Sequence, residues 1–273
     1  MNRLDQFYTM RPIAWSCIRF FNMLTPYKSD TCIFLEPSAG DGSFYDVLPE
    51  GRRIGFDIQP KTAGVQKKNF LQYKHAKGGP KVIVIGNPPF GKNSSMAVKF
   101  FNHAASFPDV TYIAFIIPKT FRKTSIKNRL SMDFHLCADL DLPDDSFIKD
   151  GKPYKVPSCF QVWKRMLVKR TPVQINVNND WFDFVKKSDK PDLAVRRVGF
   201  TVGKCLTDLK ACKEHSFYFL KLRKGVNRRK FAAHINSFRQ GPILVNMASN
   251  TAGARSLSQG EFVEVLRQYP FSA

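Results

Sequence analysis

Apolar residues recur along the first 170 positions in two alternating patterns. Residues 12–24 (PIAWSCIRFFNML) carry them at helical spacing behind Pro12, a residue that suits the first turn of a helix. Residues 31–37 (TCIFLEP) form a short apolar run leading into a loop, which predicts a buried strand. Residues 52–60 (RRIGFDIQP) predict a second strand ending in an acid, 67–73 (KKNFLQY) a short third, and 81–90 (KVIVIGNPPF) a β-branched fourth. The run 95–107 (SMAVKFFNHAASF) returns to the helical period, 110–121 (VTYIAFIIPKTF) predicts a fifth strand, 123–131 a helix, and 133–143 and 158–168 the last two strands. Strands alternating with helices or long connections predict an α/β fold built on a parallel, doubly wound sheet. Beyond residue 170 the periodicity weakens, Gly and Asn punctuate, and basic clusters gather at Arg196-Arg197 and from Lys221 to Lys230. This shift predicts a larger domain over 1–170 and a smaller, basic α+β domain over 171–273.

Composition narrows the partners. With 43% hydrophobic residues in 273, the chain can bury a sizeable core, which excludes intrinsic disorder for most of it. Lys and Arg total 43 against 22 Asp and Glu, a formal charge of +21, and such an excess points to a polyanion. The excess is uneven: residues 169–273 carry net +11, residues 51–100 carry net +9, and the remainder is nearly neutral. No apolar run reaches the roughly 18 residues of a membrane span, and the first residues lack the apolar core of a signal peptide, so no membrane association is expected. Six scattered cysteines read as reduced thiols of an intracellular protein, in cytoplasm, nucleoid or nucleus. Cys205 and Cys212 have the wrong spacing for a zinc knuckle and the five histidines form no ligand pair, so no metal is expected.

In an open α/β sheet, ligands bind outside the carboxyl ends of the strands. After the first strand stands Glu36-Pro37-Ser38-Ala39-Gly40-Asp41-Gly42. Its glycines allow a sharp turn and a close backbone approach, while its carboxylates would repel a pyrophosphate and suit a cationic amino group and hydroxyls. After the second strand stands Asp57, about 20 residues beyond the start of the loop, a position suited to accepting both hydroxyls of a ribose. Loop and acid together favour an adenosine-containing ligand. After the fourth strand come Asn87-Pro88-Pro89-Phe90. Two prolines fix the backbone and remove two N–H donors, leaving carbonyls to face a ligand. The Asn87 side-chain oxygen and the Pro88 carbonyl make a pair of acceptors for a planar amino group, and Phe90 offers a flat face for stacking on a base.

Over residues 4–168 these motifs resemble the S-adenosylmethionine-dependent amino-methyltransferases, above all the N6-adenine DNA enzymes in the gamma-type motif order. Asp5-Gln6-Phe7-Tyr8-Thr9, with Pro12, is similar to their N-terminal segment, although Pro follows Thr9 by three residues instead of directly. The resemblance implies a seven-stranded, mostly parallel, Rossmann-like class I methyltransferase sheet, with S-adenosylmethionine as cofactor. It implies that Tyr8, Thr9, Glu36, Ser38, Gly40, Asp41 and Gly42 hold the methionine end, that Asp57 holds the ribose, and that Ile58 packs on the adenine. Asn69-Phe70 stands where the family often has Asp-Phe, with Asn69 accepting from the exocyclic amine of the cofactor, and Phe70 lying on its ring. Asn87, also beside the cofactor, would accept the hydrogens of the target amine with Pro88, followed by Pro89 and Phe90. The second aromatic of a base sandwich is expected at Phe147, with Tyr154 as the other candidate, while Phe160 and Trp163 read as core.

Lys92, Lys119, Arg122 and Lys123 are expected near nucleic-acid phosphates, as are Arg196, Arg197, Arg228, Arg229 and Lys230 of the second domain. The leading reading is methylation of adenine N6 in DNA, the target base flipped out or single-stranded. The alternatives are the same chemistry on RNA, a protein-glutamine methyltransferase, and a non-catalytic nucleic-acid-binding paralogue.

Overall fold

A computed structural model describes residues 7–25, 31–251 and 253–272; Asp5 and Gln6 of the N-terminal motif lie outside the described residues. The chain divides into two compact units, residues 1–173 and 174–273.

In the first unit, β1 (Tyr8–Thr9) leads into α1 (Arg11–Leu24), with Pro12 in its first turn as its fixed φ favours. Then follow β2 (Cys32–Glu36), β3 (Arg53–Asp57), β4 (Val65–Lys67), β5 (Lys81–Gly86), α2 (Ser95–Ala105), β6 (Val110–Pro118), the single turn α3 (Thr124–Lys127) and β7 (Phe134–Asp141). A hairpin of β8 (Phe147–Lys149) and β9 (Lys152–Tyr154) precedes β10 (Ser158–Arg165).

Seven strands form one sheet in the order β4-β3-β2-β5-β6-β10-β7. Neighbours from β4 to β6 are parallel, and β10 runs antiparallel between β6 and β7. This is a seven-stranded, mostly parallel, Rossmann-like sheet, as the resemblance implies. Strand alternation explains its two cores. Val82 and Val84 face Ala97, Phe101 and Trp163 on the α2 side, while Ile83 and Ile85 face Cys17, Phe21 and Phe160 on the α1 side. Chain order reverses between β2 and β5, and that switch point opens a crevice at their carboxyl ends.

The expected third strand over 67–73 is displaced. The strand is β4, just upstream, and Phe70–Gln72 form a 3-10 turn in which the Leu71 N–H donates to the Asn69 side chain, a local bond that outcompetes extension. A small sheet β1-β8-β9 also forms, pairing Thr9 with Phe147 and Phe147 with Tyr154. Its hairpin turns at Asp150 (φ +50°) and Gly151 (φ +74°), both left-handed, as a two-residue turn of the primed type requires.

The second unit holds an antiparallel sheet. Its strands are β11 (Phe182–Val185), β12 (Leu193–Arg196), β13 (Cys205–Leu206) and β14 (Phe217–Leu222), in the order β11-β14-β12-β13. Three helices follow, α4 (Arg228–Ser237), α5 (Pro242–Ala248) and α6 (Gln259–Gln268). They cover one face of the sheet through Phe231, Ile235, Leu244 and Phe262 against Leu193, Val195 and Leu220. A smaller cluster of Ala194, Cys212, Phe217 and Phe219 occupies the other face. Among the described residues no helix is long and apolar enough to cross a membrane, and no group of metal-ligating side chains is assembled.

Candidate active site

A cavity of about 740 Å³ lies at the carboxyl ends of β2, β3 and β5. Its walls bring together Tyr8, Thr9, Glu36, Ser38, Gly40, Asp41, Asp57, Ile58, Asn69, Phe70, Asn87, Pro88 and Pro89, with Lys92 at the same wall. The sheet is the reason: residues far apart in sequence become neighbours because each follows a parallel strand that ends at one level.

The loop after β2 is held from three sides. The Gly40 N–H donates to Asp57 Oδ2 at 2.8 Å, and Gln59 N–H donates to Oδ1 at 2.7 Å, which fixes the carboxylate that ends β3. Ser38 Oγ donates to the Asn87 carbonyl at 3.0 Å, tying this loop to the Asn-Pro-Pro turn. Gly40 takes φ +55°, and a Cβ there would stand 3.0 Å from the Tyr8 ring. Gly42 lies off the cavity; its left-handed φ of +87° lets the loop close on Thr62.

Asn87 carries the sharpest geometry. Its Nδ2 donates to Thr9 Oγ1 at 3.0 Å, which fixes the amide plane. Its Oδ1 is buried and has no protein partner. A buried acceptor left unpaired costs about 1–3 kcal/mol, so the arrangement is built for a donor from outside the chain. Glu36 is equally exceptional: it is 2% exposed, and its Oε2 has no partner. Burial first, then the charges of Asp41 and Asp57, push its pKa well above the usual carboxylate range. A cation placed beside Glu36 would relieve that penalty. Gly86 makes room for it, since at φ +149° a Cβ there would lie 3.0 Å from Glu36 Cγ. Gly86→Ala is therefore expected to displace Glu36 and to destabilise the fold by about 1–3 kcal/mol, read as a lowered thermal midpoint.

Several expected roles change. Phe147 is fully buried, edge-on to Phe7 at 4.9 Å, and does not line the cavity, so it offers no face to a base. Phe90 is 5% exposed, with its ring edge-on to Phe7 at 5.0 Å, and is part of the packed wall behind the turn. Phe7, which lines the cavity, ties both rings together; Tyr154, next to it at 5.7 Å, keeps 36% exposure. Asn69 spends its side-chain oxygen on the Leu71 N–H at 3.0 Å. Phe70 combines a core position with the cavity wall, packed on Phe100 and His103. Ile58 is exposed at the rim, as an apolar surface awaiting a flat partner would be.

The expected phosphate contacts also divide. Lys119 Nζ pairs with Asp141 at 3.0 Å, and Arg122 binds Asp139 through both Nε and Nη2 as well as Asp141. Their charge is spent holding the turn after β6 against the edge strand β7, and the hydrogen bonds to Asp139 keep the Arg122 pKa above its ordinary value. Arg122→Ala is expected to lower the thermal midpoint and leave the salt dependence of polyanion binding unchanged, whereas losing a true phosphate contact lowers that slope by about one. In the second unit, Arg228 donates to the carbonyls of Asp192 and Thr207, and Arg196 to that of Val198; both brace loops. Arg229 and Lys230 are exposed in the first turn of α4, and Arg197 lies over the Tyr218 ring at 4.9 Å.

No protein-family profile and no curated protein matches the sequence. Solved structures of similar shape include a candidate RNA methyltransferase from Pyrococcus horikoshii, 14% identical over 60% of this chain and 88% of that one, at a TM-score of 0.46. The 23S rRNA methyltransferase ErmE is 15% identical over 60% and 71%, at 0.42. A candidate hemolysin from Streptococcus thermophilus is 12% identical over 59% and 68%, at 0.39. At such scores the likeness carries no argument about this chain, and the fold rests on its own strand order and direction.

Proposed function

We propose that this chain is an S-adenosylmethionine-dependent methyltransferase acting on the exocyclic N6 amine of adenine in a polynucleotide, with DNA as the leading substrate. The observation that carries the reading is the Asn87 amide, locked by Thr9 with its buried Oδ1 unpaired, on the Asn-Pro-Pro turn at the wall of the cavity. S-adenosylmethionine, when bound, supplies a methyl group on a sulfonium that is already electrophilic. The residues fit that donor: Glu36 is a buried carboxylate lacking a cation, Asp57 a fixed acceptor for ribose hydroxyls, and Ile58 an apolar rim for an adenine ring.

Adenine N6 is a weak nucleophile because its lone pair is delocalised into the ring. Asn87 Oδ1 and the Pro88 carbonyl accept its two hydrogens, drive the nitrogen toward a pyramidal geometry and localise the pair. Transfer would join N6 to the methyl carbon as the methyl–sulfur bond breaks and its electron pair stays on sulfur as a thioether, and N6 would then lose one hydrogen as a proton to water, so neither a His nor a Cys nucleophile is required. The rest of the acceleration is proximity and alignment. An amide of protein glutamine presents the same two hydrogens, but the charge of +21 favours a polyanion.

The test is transfer of labelled methyl from S-adenosylmethionine to double-stranded DNA, single-stranded DNA and RNA in parallel. Label in DNA is the expected result. Label in RNA alone keeps the chemistry and overturns the substrate; label in none of the three overturns the reading.

A further inference from the structure

The second unit carries an exposed aromatic that its fold leaves without an internal role. Phe200 is 90% exposed, at the tip of the loop joining β12 to β13. Leaving such a ring in water forgoes roughly 1.5–3 kcal/mol of burial. The loop is not slack. At its stem, Arg196 N–H donates to the Lys204 carbonyl at 2.8 Å and Gly203 N–H to the Arg196 carbonyl at 2.7 Å. Inside it, Val202 N–H returns to the Gly199 carbonyl at 3.1 Å. From the side it is clamped by the segment before α6: Gly199 N–H donates to the Arg255 carbonyl, Leu257 N–H to the Arg197 carbonyl, both at 2.9 Å, and Val198 bridges Ser256. Gly199 reaches φ +100°, which sets up the tip, and the Arg196 guanidinium braces it within 3.8 Å of where a Gly199 Cβ would be.

The segments that hold this loop carry cations. Lys204 forms the stem, Arg255 the clamp, and Arg239 packs within 3.5 Å of the Cβ position of Gly203. None of these three forms an ion pair among the described residues. Glu261, in the first turn of α6, accepts from the Ser258 N–H in the cap of that helix. A flat ring presented on a braced loop, with unpaired cations on the segments that hold it, fits a strand whose base stacks on the ring while its phosphates meet the cations.

We propose that Phe200 is a base-stacking residue of a single-strand-binding surface formed with Lys204, Arg239 and Arg255. The inference rests on the nucleic-acid reading above and goes beyond it by assigning the contact to an unpaired base. The test uses the full chain and fluorescence anisotropy with three probes: a single-stranded oligonucleotide, an abasic strand of equal charge, and a duplex. Phe200→Ala is expected to weaken the single strand roughly 5- to 150-fold, the effect of losing one stacked base, and to leave the abasic strand unaffected. Phe200→Trp is expected to restore the affinity, with its fluorescence quenched on binding. Arg255→Gln or Lys204→Gln is expected to lower the salt slope by about one, which Phe200→Ala does not. Equal affinity of Phe200→Ala and the parent for the single strand overturns this inference alone, as does an equal loss on the abasic strand. No binding of any probe by the parent chain overturns the nucleic-acid reading itself. Phe200 is exposed, so an unchanged thermal midpoint shows that the variants fold.

Discussion

Replacing Asn87 with alanine lowers kcat for methyl transfer by roughly 100- to 1,000-fold, the scale set by removing one preorganised polar partner of a transition state. The loss falls on kcat because the pairing with Asn87 Oδ1 strengthens as N6 turns pyramidal. Binding of S-adenosylmethionine, measured by titration calorimetry on the same variant, is expected to change far less, since Glu36 and Asp57 stand on other strands. Thr9→Val separates position from chemistry. It leaves Asn87 Oδ1 in place and removes the hydroxyl that orients the amide, so kcat falls by less than in the alanine variant while KM for the polynucleotide is kept. Equal kcat in the parent and the Asn87 variant would remove the turn from the chemistry.

Glu36→Gln produces opposite effects on binding and stability. Affinity for S-adenosylmethionine falls roughly 10- to 150-fold, as expected on losing a charge-assisted contact. Without ligand, the folded pKa of Glu36 lies above its reference of 4.5, so between the two values the folded state binds a proton that the unfolded state does not. Stability from this group is present at acid pH and is lost as pH rises through that window. The ligand-free thermal midpoint of Glu36→Gln therefore lacks this decline and lies above the parent at alkaline pH. A cationic ligand favours the carboxylate, so its binding releases a proton and tightens as pH rises. Titration in buffers of different ionisation enthalpy reads that proton directly; no proton release, with an unchanged affinity in the variant, would remove Glu36 from the site.

The central sheet was legible because buried parallel strands are written as continuous β-branched runs such as 81–86, and the ligand crevice because each chemical motif directly follows one of them. Other features depend on partners distant in sequence. Nothing around Thr9 announces a bond to a side chain 78 positions away, which forms only once β1 pairs with β8. Asp150-Gly151 is a strong hairpin signal that places Phe147 on a strand, but which way its ring faces is set by the pairing of β8 with β1. Sequence charge alone points Lys119 and Arg122 at phosphates because it does not reveal a counter-ion within the chain. Asp139 and Asp141 alternate along the edge strand β7 and meet those cations only through the fold. Phe200 carries no mark in the sequence, because an apolar residue between Gly199 and Thr201 has no periodicity; only its exposure singles it out.

The most direct measurement is mass spectrometry of nucleosides from DNA incubated with the chain and S-adenosylmethionine, with Asn87→Ala alongside. N6-methyladenine in the parent reaction, lost in the variant, is the expected result. Methyl found instead on a ring atom or on cytosine, or N6-methyladenine that persists at the parent level in Asn87→Ala, would contradict transfer to the adenine amine at the Asn87–Pro88 acceptor pair.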